Sequence, residues 1–290
     1  MNITKRINVH IRLLSPLVHN GQAGGSNITS FRRMDFMTPQ GELMKVPVYS
    51  GNAIRGVLRD LAFVYLASVL GLSEKLHPLQ FHLLTGGGSL TKDGNPKDIE
   101  ELRGLRSLLP SFSLWGGSVG NVIYPGKWDS GLMMPIVRET TSFVPPSMTL
   151  DSREITSVYD IMSNNFYTRH DDSDGNRNSD MLYVPVDGGK AGDPQQMIYE
   201  IESMNPGTNL YWWLGFTNIT PLEELAFVSA LTVFAQRPVL GGMGRIGHGL
   251  VQMDFANGWF ISPSEANLPD LGEYDDHLLS NKDAIMKVLY

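Results

Sequence analysis

Apolar and polar side chains alternate without interruption over residues 7–13, the pattern of a β-strand that buries one face. Residues 131–137 carry a similar strand pattern, and residues 250–255 predict another strand near the C-terminal end. Two more alternating segments, residues 197–203 and 210–216, flank a turn that contains proline and glycine. That arrangement predicts a β-hairpin.

Two other stretches repeat their apolar residues at helical spacing. The first helix opens at the turn that contains Ser50, and apolar residues mark its predicted buried face. These residues are Ile54, Val57, Leu58, Leu61 and Tyr65. The second helix covers residues 222–236, where Thr220 is the N-cap, a proline occupies the first turn and Glu223 completes a capping box.

The predicted elements follow the order strand, helix, strands, helix, strand. This order is typical of the split βαβ, or ferredoxin-like, arrangement enlarged by insertions, so we predict an α+β fold. The longest irregular insertion lies between residues 139 and 194 and is rich in Pro, Gly and Asp. Its apolar residues at 158–162 and 166–167 have no obvious core to join. They belong either to a protruding finger that stacks on bases or to a lid folded onto the domain.

The composition is that of an ordinary globular protein, with 42% hydrophobic and 18% charged residues. No window approaches 18 consecutive apolar residues, and the N-terminus lacks the apolar region of a signal peptide. We therefore expect a cytoplasmic protein with no membrane partner. The formal charge of −7 argues against a general nucleic-acid binder, so any nucleic acid must lie in a locally basic groove.

The sequence gives no local support for a metal site or a cofactor. The chain has no cysteine, which excludes disulfides and thiolate zinc sites, and its seven histidines form no His-x-His or His-x-x-x-His pair. The acidic residues 171–180 fail the calcium-loop pattern because His170 and Met181 occupy two of the ligand positions. We predict neither a bound metal nor a cofactor.

Residues 240–249 contain five glycines beside an arginine and a histidine. Glycine permits positive φ and close backbone approach, and successive N–H groups form a concave anion-binding surface, so a phosphate is the expected ligand. The run fits G-x-G-x-x-G, but that fingerprint needs a strand before it and a helix after it, the reverse of the order here. No P-loop sequence is present either. The alternative is a turn that only joins a helix to a strand.

The start of the first helix offers a second place for an anion. Its N-terminus carries Ser50 and Asn52, and two arginines four residues apart, Arg55 and Arg59, share the side opposite the apolar face. A helix N-terminus and two arginines can face one anion. The alternative is that both arginines lie on an ordinary solvated helix face.

Four segments carry a further signal through their order. Residues 11–19 run from the first strand into a glycine-rich loop, and residues 46–59 form a strand, a Ser-Gly-Asn turn and a helix. Residues 114–117 read LWGG, and residues 240–249 are the glycine loop. In this order the segments resemble the CRISPR-associated RAMP proteins, and within them the repeating backbone subunit that coats guide RNA in multisubunit effector complexes.

The resemblance implies a modified ferredoxin-like (RRM-like) palm over residues 1–138 and 195–260. It further implies a helical insertion at about residues 72–120, a thumb-like insertion over residues 139–194 and a C-terminal segment over residues 261–290. By likeness, the subunit binds guide RNA, polymerises along it with further copies of itself and joins other CRISPR effector subunits. It would present the guide for pairing with a target nucleic acid.

Site residues follow from the resemblance together with the residue chemistry. The predicted RNA-binding residues are Arg32, Arg33, Ser50, Asn52, Arg55, Arg59, Gly241, Gly242, Gly244, Arg245, Gly247 and His248. The predicted base-stacking residues of the thumb are Met162, Phe166 and Tyr167.

Type III relatives cut target RNA with an aspartate in the loop after the first strand. The corresponding residues 25–31 contain no acid, and Asp35 lies beyond that position. We therefore expect no catalytic residue and no nuclease activity, which places the chain nearer to the type IV or type I backbone subunits.

Three alternatives remain open from the sequence. One is a RAMP endoribonuclease that uses His19 or His248 for proton transfer. Another is a nuclease that uses Asp35 with a divalent metal. The third is an RNA-independent assembly protein, in which the helix predicted over residues 276–289 docks on its own core or on a neighbour.

Overall fold

A computed structural model describes residues 2–21, 28–38, 41–72, 76, 78–88, 99–119, 122–169 and 197–289. The strands are β1 (Ile3–Leu13), β2 (Ile28–Thr29), β3 (Arg33–Met37), β4 (Leu43–Pro47), β5 (Gly117–Val119), β6 (Val122–Tyr124), β7 (Trp128–Ser130), β8 (Met134–Pro135), β9 (Met162–Arg169), β10 (Met197–Met204), β11 (Asn209–Ile219), β12 (Val251–Phe255), β13 (Phe260–Ile261) and β14 (Ala266–Asn267). The helices are α1 (Gly51–Leu70), α2 (Pro78–Thr85), α3 (Ile99–Leu108), α4 (Pro110–Trp115), α5 (Pro221–Gln236), α6 (Gly272–Ser280) and α7 (Lys282–Leu289).

The main sheet has the strand order β14-β13-β12-β1-β11-β7 in the described part of the chain, and β8 also pairs with β11. All neighbouring strands are antiparallel. Strands β12, β1, β11 and β7 are the fourth, first, third and second strands of a split βαβ unit, with α1 and α5 as its two crossover helices. The prediction of an α+β fold with a ferredoxin-like core is confirmed.

Strand β1 shows why the sequence produces this layer. Its alternating residues Ile7, Val9, Ile11 and Leu13 are all buried in the core. Helix α1 buries Ile54, Leu58, Ala62, Leu66 and Leu70, a stripe at helical spacing. The predicted residues Val57, Leu61 and Tyr65 lie half-buried beside this stripe. The buried face of α1 is therefore centred on a neighbouring row of residues.

Helix α5 begins with the predicted capping box. The Thr220 hydroxyl accepts the Glu223 N–H at 3.2 Å, and the Glu223 carboxylate accepts the Thr220 N–H at 2.7 Å. Lys127 donates to the same buried carboxylate at 2.7 Å. Glu223 therefore caps the helix, and Lys127 neutralises its buried charge.

We expect Thr220→Ala to lower the free energy of unfolding by about 1 kcal/mol, because the Glu223 N–H loses its acceptor. Urea denaturation measures this loss. Thr232→Ala, in the same helix, is the control: the Thr232 hydroxyl donates to the Val228 carbonyl one turn earlier, at 3.0 Å, and alanine favours a helix. An equal loss in both variants would contradict the assignment of the cap.

The predicted hairpin between residues 197–203 and 210–216 is wrong. Strand β10 pairs antiparallel with β9 and parallel with β2, whereas β11 pairs with β1 in the main sheet. The turn between them is a corner, since the Gly207 N–H donates to the Leu13 carbonyl and the Leu13 N–H donates to the Thr208 carbonyl. These bonds stabilise the corner at which the chain passes from the sheet that contains β10 into the main sheet. Alternation identified both strands but not their partners.

The first part of the irregular insertion packs on the main core. Val144, Val158 and Ile161 are buried there, so these apolar residues do have a core to join. The strand predicted over residues 131–137 is reduced to β8, and Met133 forms a bridge to Tyr49. Residues 170–196, which complete the predicted thumb, lie outside the described residues.

The C-terminal helix predicted over residues 276–289 is two helices, α6 and α7, which meet at Asn281. Leu278, Ile285 and Leu289 are buried, so this pair docks on its own core. None of the helices in the described ranges is long and apolar enough to cross a membrane.

Candidate nucleic-acid interface

The glycine loop, residues 240–249, contacts two segments that lie far from it in the sequence. The Gly242 N–H donates to the Val18 carbonyl at 2.9 Å, just after β1 ends. The Gly241 N–H donates to the Tyr49 hydroxyl at 3.2 Å, just before α1 begins. We call the place where the exit of β1, the N-terminus of α1 and the glycine loop meet the loop site.

His19 and Ser50 complete the junction. The Ser50 N–H donates to Nε2 of His19 at 3.3 Å, and the imidazole packs on the Tyr49 ring with centroids 4.4 Å apart. Burial, with the nearby charge of Arg32, lowers the pKa of His19. His19 is therefore a neutral acceptor that fixes the N-terminus of α1.

Two of the predicted helix residues lie at this N-terminus. Ser50 is the N-cap of α1, and its hydroxyl accepts the Ala53 N–H at 3.3 Å. Asn52 is exposed in the first turn. The partial positive charge of the helix N-terminus is therefore next to the glycine loop.

The outer part of the glycine loop, residues 241–247, is accessible, with every residue exposed or half-buried. Among the described residues, the backbone N–H groups of Met243, Gly244 and Arg245 donate to no acceptor. Met243 has a φ of 60° and Gly247 one of 90°, so the loop doubles back around these three groups. Three consecutive free N–H groups in such a turn form a site for an anion.

Two arginines flank this turn. Arg245 is exposed and makes no ion pair within the described ranges. The Arg237 guanidinium donates to the Gly244 carbonyl at 2.6 Å, which holds a positive charge against the loop. The loop therefore combines unpaired donors with cationic side chains.

Arg32 and Arg33 are adjacent but differ in role. The Arg32 N–H donates to the His19 carbonyl at 2.8 Å, and the Arg32 side chain is exposed beside the loop site. Arg33 forms a two-pronged ion pair with Glu202, with one Nη1 to Oε2 distance of 2.7 Å. The hydrogen bond to Glu202 raises the pKa of Arg33. The charge of Arg33 is thus neutralised internally, whereas that of Arg32 is available.

Arg55 and Arg59 do not lie on an ordinary solvated helix face, which is the alternative to an anion site that the sequence left open. Both guanidinium groups are half-buried and donate to backbone carbonyls. The acceptors are Trp115 and Trp128 for Arg55, and Leu83, Leu84 and Gly116 for Arg59. Burial, with the neighbouring charge of Arg55, lowers the pKa of Arg59 to about 10. Both side chains connect α1 to the segments near α2 and β5. These segments have backbone carbonyls that need hydrogen-bond donors.

The predicted stacking residues are divided between two faces of one small sheet. Strands β2, β9 and β10 form this sheet, which we call the hairpin sheet. Met162 and Phe166 share one face, where Phe166 is 68% exposed, whereas Tyr167 points to the opposite face. The three side chains cannot therefore form one stacking surface.

Tyr167 and His248 contact each other. The Tyr167 hydroxyl lies 2.6 Å from Nε2 of His248, and the two rings meet edge to face with centroids 5.7 Å apart. His248 is only 6% exposed, and its Nδ1 is buried without a partner among the described residues. The imidazole is thus an internal part of the glycine loop and does not present itself to a ligand.

A cleft of about 1000 Å³ lies on the other side of the hairpin sheet. Its lining includes Lys45, Arg138, Tyr159, Met162 and Glu202. It contains none of the free N–H groups of the glycine loop, so its size alone does not make it the candidate interface.

Asp35, the alternative metal ligand, lies on β3 directly opposite Lys45 of β4. Within the described ranges, no three histidine, aspartate or glutamate side chains come together in a way that could hold a metal ion.

Sequence reasoning missed three contributors to this region. Tyr49 and Glu202 lie in predicted strands, and Arg237 directly follows the helix predicted over residues 222–236. Each acts through a backbone group or a side chain more than five residues away in sequence. No local pattern could have identified them.

No family model matches the chain, and no curated protein matches it. A solved structure shares this fold. A chain of a Type IV-B CRISPR Complex is 22% identical, and the match covers 87% of this chain and 90% of that chain with a TM-score of 0.58. At this level of identity the likeness shows a common fold.

Proposed function

We propose that this chain is an RNA-binding backbone subunit of a CRISPR effector complex. It binds guide RNA along the sugar-phosphate spine, assembles with further copies of itself and with other effector subunits, and presents the guide for pairing with a target. The observation that carries this proposal is the run of three unpaired backbone N–H groups in the exposed glycine loop. The shared fold with a chain of a CRISPR complex supports it.

The chemistry of the loop site suits a phosphate and not a base. Backbone N–H groups and arginines recognise phosphate oxygens without reading sequence, which is what a guide of variable sequence requires. Arg32 and Arg245 supply the unpaired cations, and the N-terminus of α1 adds a partial positive charge. A chain with a formal charge of −7 can bind RNA in this way because only this surface must be basic.

The set of proposed RNA contacts is therefore narrower than the sequence indicated. We retain Arg32, Asn52, Gly244 and Arg245 as direct contacts. Ser50, Gly241, Gly242 and Gly247 shape the loop site, because their N–H groups already donate to protein acceptors. We assign Arg33, Arg55, Arg59 and His248 to internal bonds, because their polar atoms already have protein partners.

We also propose that the subunit does not cleave RNA. The acceptor nitrogen of His19 is occupied by the Ser50 N–H, and Nε2 of His248 is occupied by Tyr167. A general base needs an accessible lone pair within reach of the proton that it removes. Incubation with a repeat hairpin RNA in the absence of metal tests this point, and a cleavage product that disappears in His19→Ala would contradict it.

We expect Arg245→Glu to weaken binding of a single-stranded RNA at least tenfold, because it replaces a phosphate-facing cation with an anion. The slope of log K against log salt should decrease in magnitude by about 0.7 if one phosphate contact is lost. Fluorescence anisotropy with a labelled RNA measures both quantities, and Arg32→Glu should behave in the same way.

The matched control is Arg103→Glu, which makes the same change in charge on α3, where Arg103 is 72% exposed and pairs with Glu100. It should change the affinity less than threefold, through the long-range field alone. Equal losses in Arg245→Glu and Arg103→Glu would show that the loop site does not contact the RNA.

A further inference from the structure

The hairpin sheet contacts the glycine loop through a polar link. This link is the 2.6 Å bond between the Tyr167 hydroxyl on β9 and Nε2 of His248. His248 immediately precedes Gly249, whose N–H donates to the Pro16 carbonyl at 2.8 Å. The position of Tyr167 therefore affects the path of the glycine loop where it contacts the end of β1.

The same sheet contacts the other side of the loop site through Glu202 on β10. The Glu202 carboxylate accepts the Phe31 N–H at 2.8 Å and the Arg33 guanidinium at 2.7 Å. Arg32 lies between these two residues and is bonded through its own N–H to the His19 carbonyl. Glu202 thus holds the backbone before, and the side chain after, an arginine that we assign to the RNA.

The two links leave the hairpin sheet from opposite faces. Glu202 is paired with Asn164 on β9, three residues before Tyr167. Since successive side chains of a strand alternate between faces, Glu202 and Tyr167 point in opposite directions. One face of the sheet thus contacts the glycine loop, and the other contacts residues 31–33.

We propose that the hairpin sheet positions both sides of the loop site, with Tyr167 and Glu202 as the positioning residues. The sheet is then a spacer whose placement sets the distance between the free N–H groups of the glycine loop and the Arg32 cation. The expected effect on RNA affinity rests on the proposed function. The coupling between the hairpin sheet and the loop site does not depend on it.

His248 explains how loss of the Tyr167 hydroxyl would change the conformation of the glycine loop. Its Nδ1 is already buried without a partner, so the bond to Tyr167 is the one side-chain hydrogen bond of this imidazole among the described residues. Removing it would leave both ring nitrogens unpaired in a buried place. A buried polar group without a partner is costly, so the loop would shift to expose the ring.

Two substitutions distinguish this positioning role of Tyr167 from direct stacking of its ring on a base. Tyr167→Phe keeps the aromatic ring and removes the hydroxyl, whereas Tyr167→Leu removes the ring. A stacking residue would tolerate phenylalanine and fail with leucine. A positioning residue would fail with both, because both lack the bond to His248.

The first measurement is amide hydrogen exchange in the absence of RNA. In Tyr167→Phe, the bonded N–H groups of Gly241, Gly242 and Gly249 should exchange about fivefold faster, as for loss of one hydrogen bond, with no change in α1. Glu202→Gln should accelerate exchange of the Phe31 N–H in the same way. The controls are Tyr159→Phe, which changes an 81% exposed tyrosine, and Glu200→Gln, which changes a carboxylate that accepts from Asn164.

The second measurement is the affinity for single-stranded RNA at several salt concentrations. Tyr167→Phe should bind about fivefold more weakly with an unchanged salt slope, because no phosphate contact is removed. Unchanged exchange in the glycine loop of Tyr167→Phe would overturn the proposal, as would a loss of affinity that occurs only in Tyr167→Leu. If the wild-type chain binds no RNA but the exchange shifts occur, the proposed function fails and the positioning role is supported.

Discussion

Gly249→Ala is expected to lower the free energy of unfolding by about 2–5 kcal/mol. This is the largest loss of stability that we predict for a substitution in this chain. Gly249 has a φ of 81°, where an alanine is strained by about 1–2 kcal/mol. A Cβ at this position would also lie 1.8 Å from the Leu240 carbonyl oxygen, so the backbone must move. Overpacking of this kind adds about 1–3 kcal/mol.

The comparison variant for Gly249 is Gly247→Ala, two residues earlier in the same loop. Gly247 has a φ of 90°, but among the described residues no heavy atom beyond its two chain neighbours lies within 4 Å of the place that a Cβ would occupy. Only the conformational cost of about 1–2 kcal/mol should remain. Urea denaturation gives both values, and equal losses would show that the contact with Leu240 is not responsible.

Arg59→Ala is the second large effect, an expected loss of about 3 kcal/mol in the free energy of unfolding. The Arg59 guanidinium serves the carbonyls of Leu83, Leu84 and Gly116, and its removal leaves these acceptors in a half-buried place without a donor. Arg59→Lys should recover little of this stability, because one ammonium cannot reproduce the fork of a guanidinium. Denaturant unfolding followed by tryptophan fluorescence measures both variants.

Arg103→Ala is the matched surface control for Arg59 and should change the stability by less than about 0.5 kcal/mol. The RNA affinity of folded Arg59→Ala should remain within about twofold of wild type, because the arginine is committed to carbonyls. A stable Arg59→Ala protein with a tenfold loss of RNA affinity would contradict the structural assignment and restore the anion-binding interpretation.

The parts of the fold that the sequence predicted depend on local signals. The alternation in β1 and the capping box at Thr220 need only neighbours within a few residues, so both are readable without a partner. The order of these elements was then sufficient to predict the α+β arrangement, because few topologies accommodate it.

The failed predictions concern partners. Residues 197–203 and 210–216 are strands, but a two-sheet corner and a hairpin share the same alternation and the same turn residues. The sequence shows no partner for the helix face that Arg55 and Arg59 share, but the carbonyls of residues 83–84, 115–116 and 128 accept from it in the fold. In both cases the deciding contact is made by a segment that the local pattern does not contain.

The sequence predicted one part of the candidate site and not the contacts that support it. The density of glycines at residues 240–249 indicated a loop with accessible backbone, because few other functions need that composition. The supporting contacts of Tyr49 and Glu202 could not be predicted, since a tyrosine at a helix start and a glutamate on a strand are ordinary residues there. Their importance comes from what the tertiary fold brings to them.

The bond between Gly241 and Tyr49 joins residues 192 positions apart, and this separation has a consequence for biosynthesis. Contacts of such long range form late, after the intervening chain has collapsed. A nascent chain that has emerged from the ribosome only as far as α4 therefore has no glycine loop with which to capture RNA. Under the proposed function, premature capture of cellular transcripts would be avoided, because the glycine loop is translated after the other two segments of the loop site.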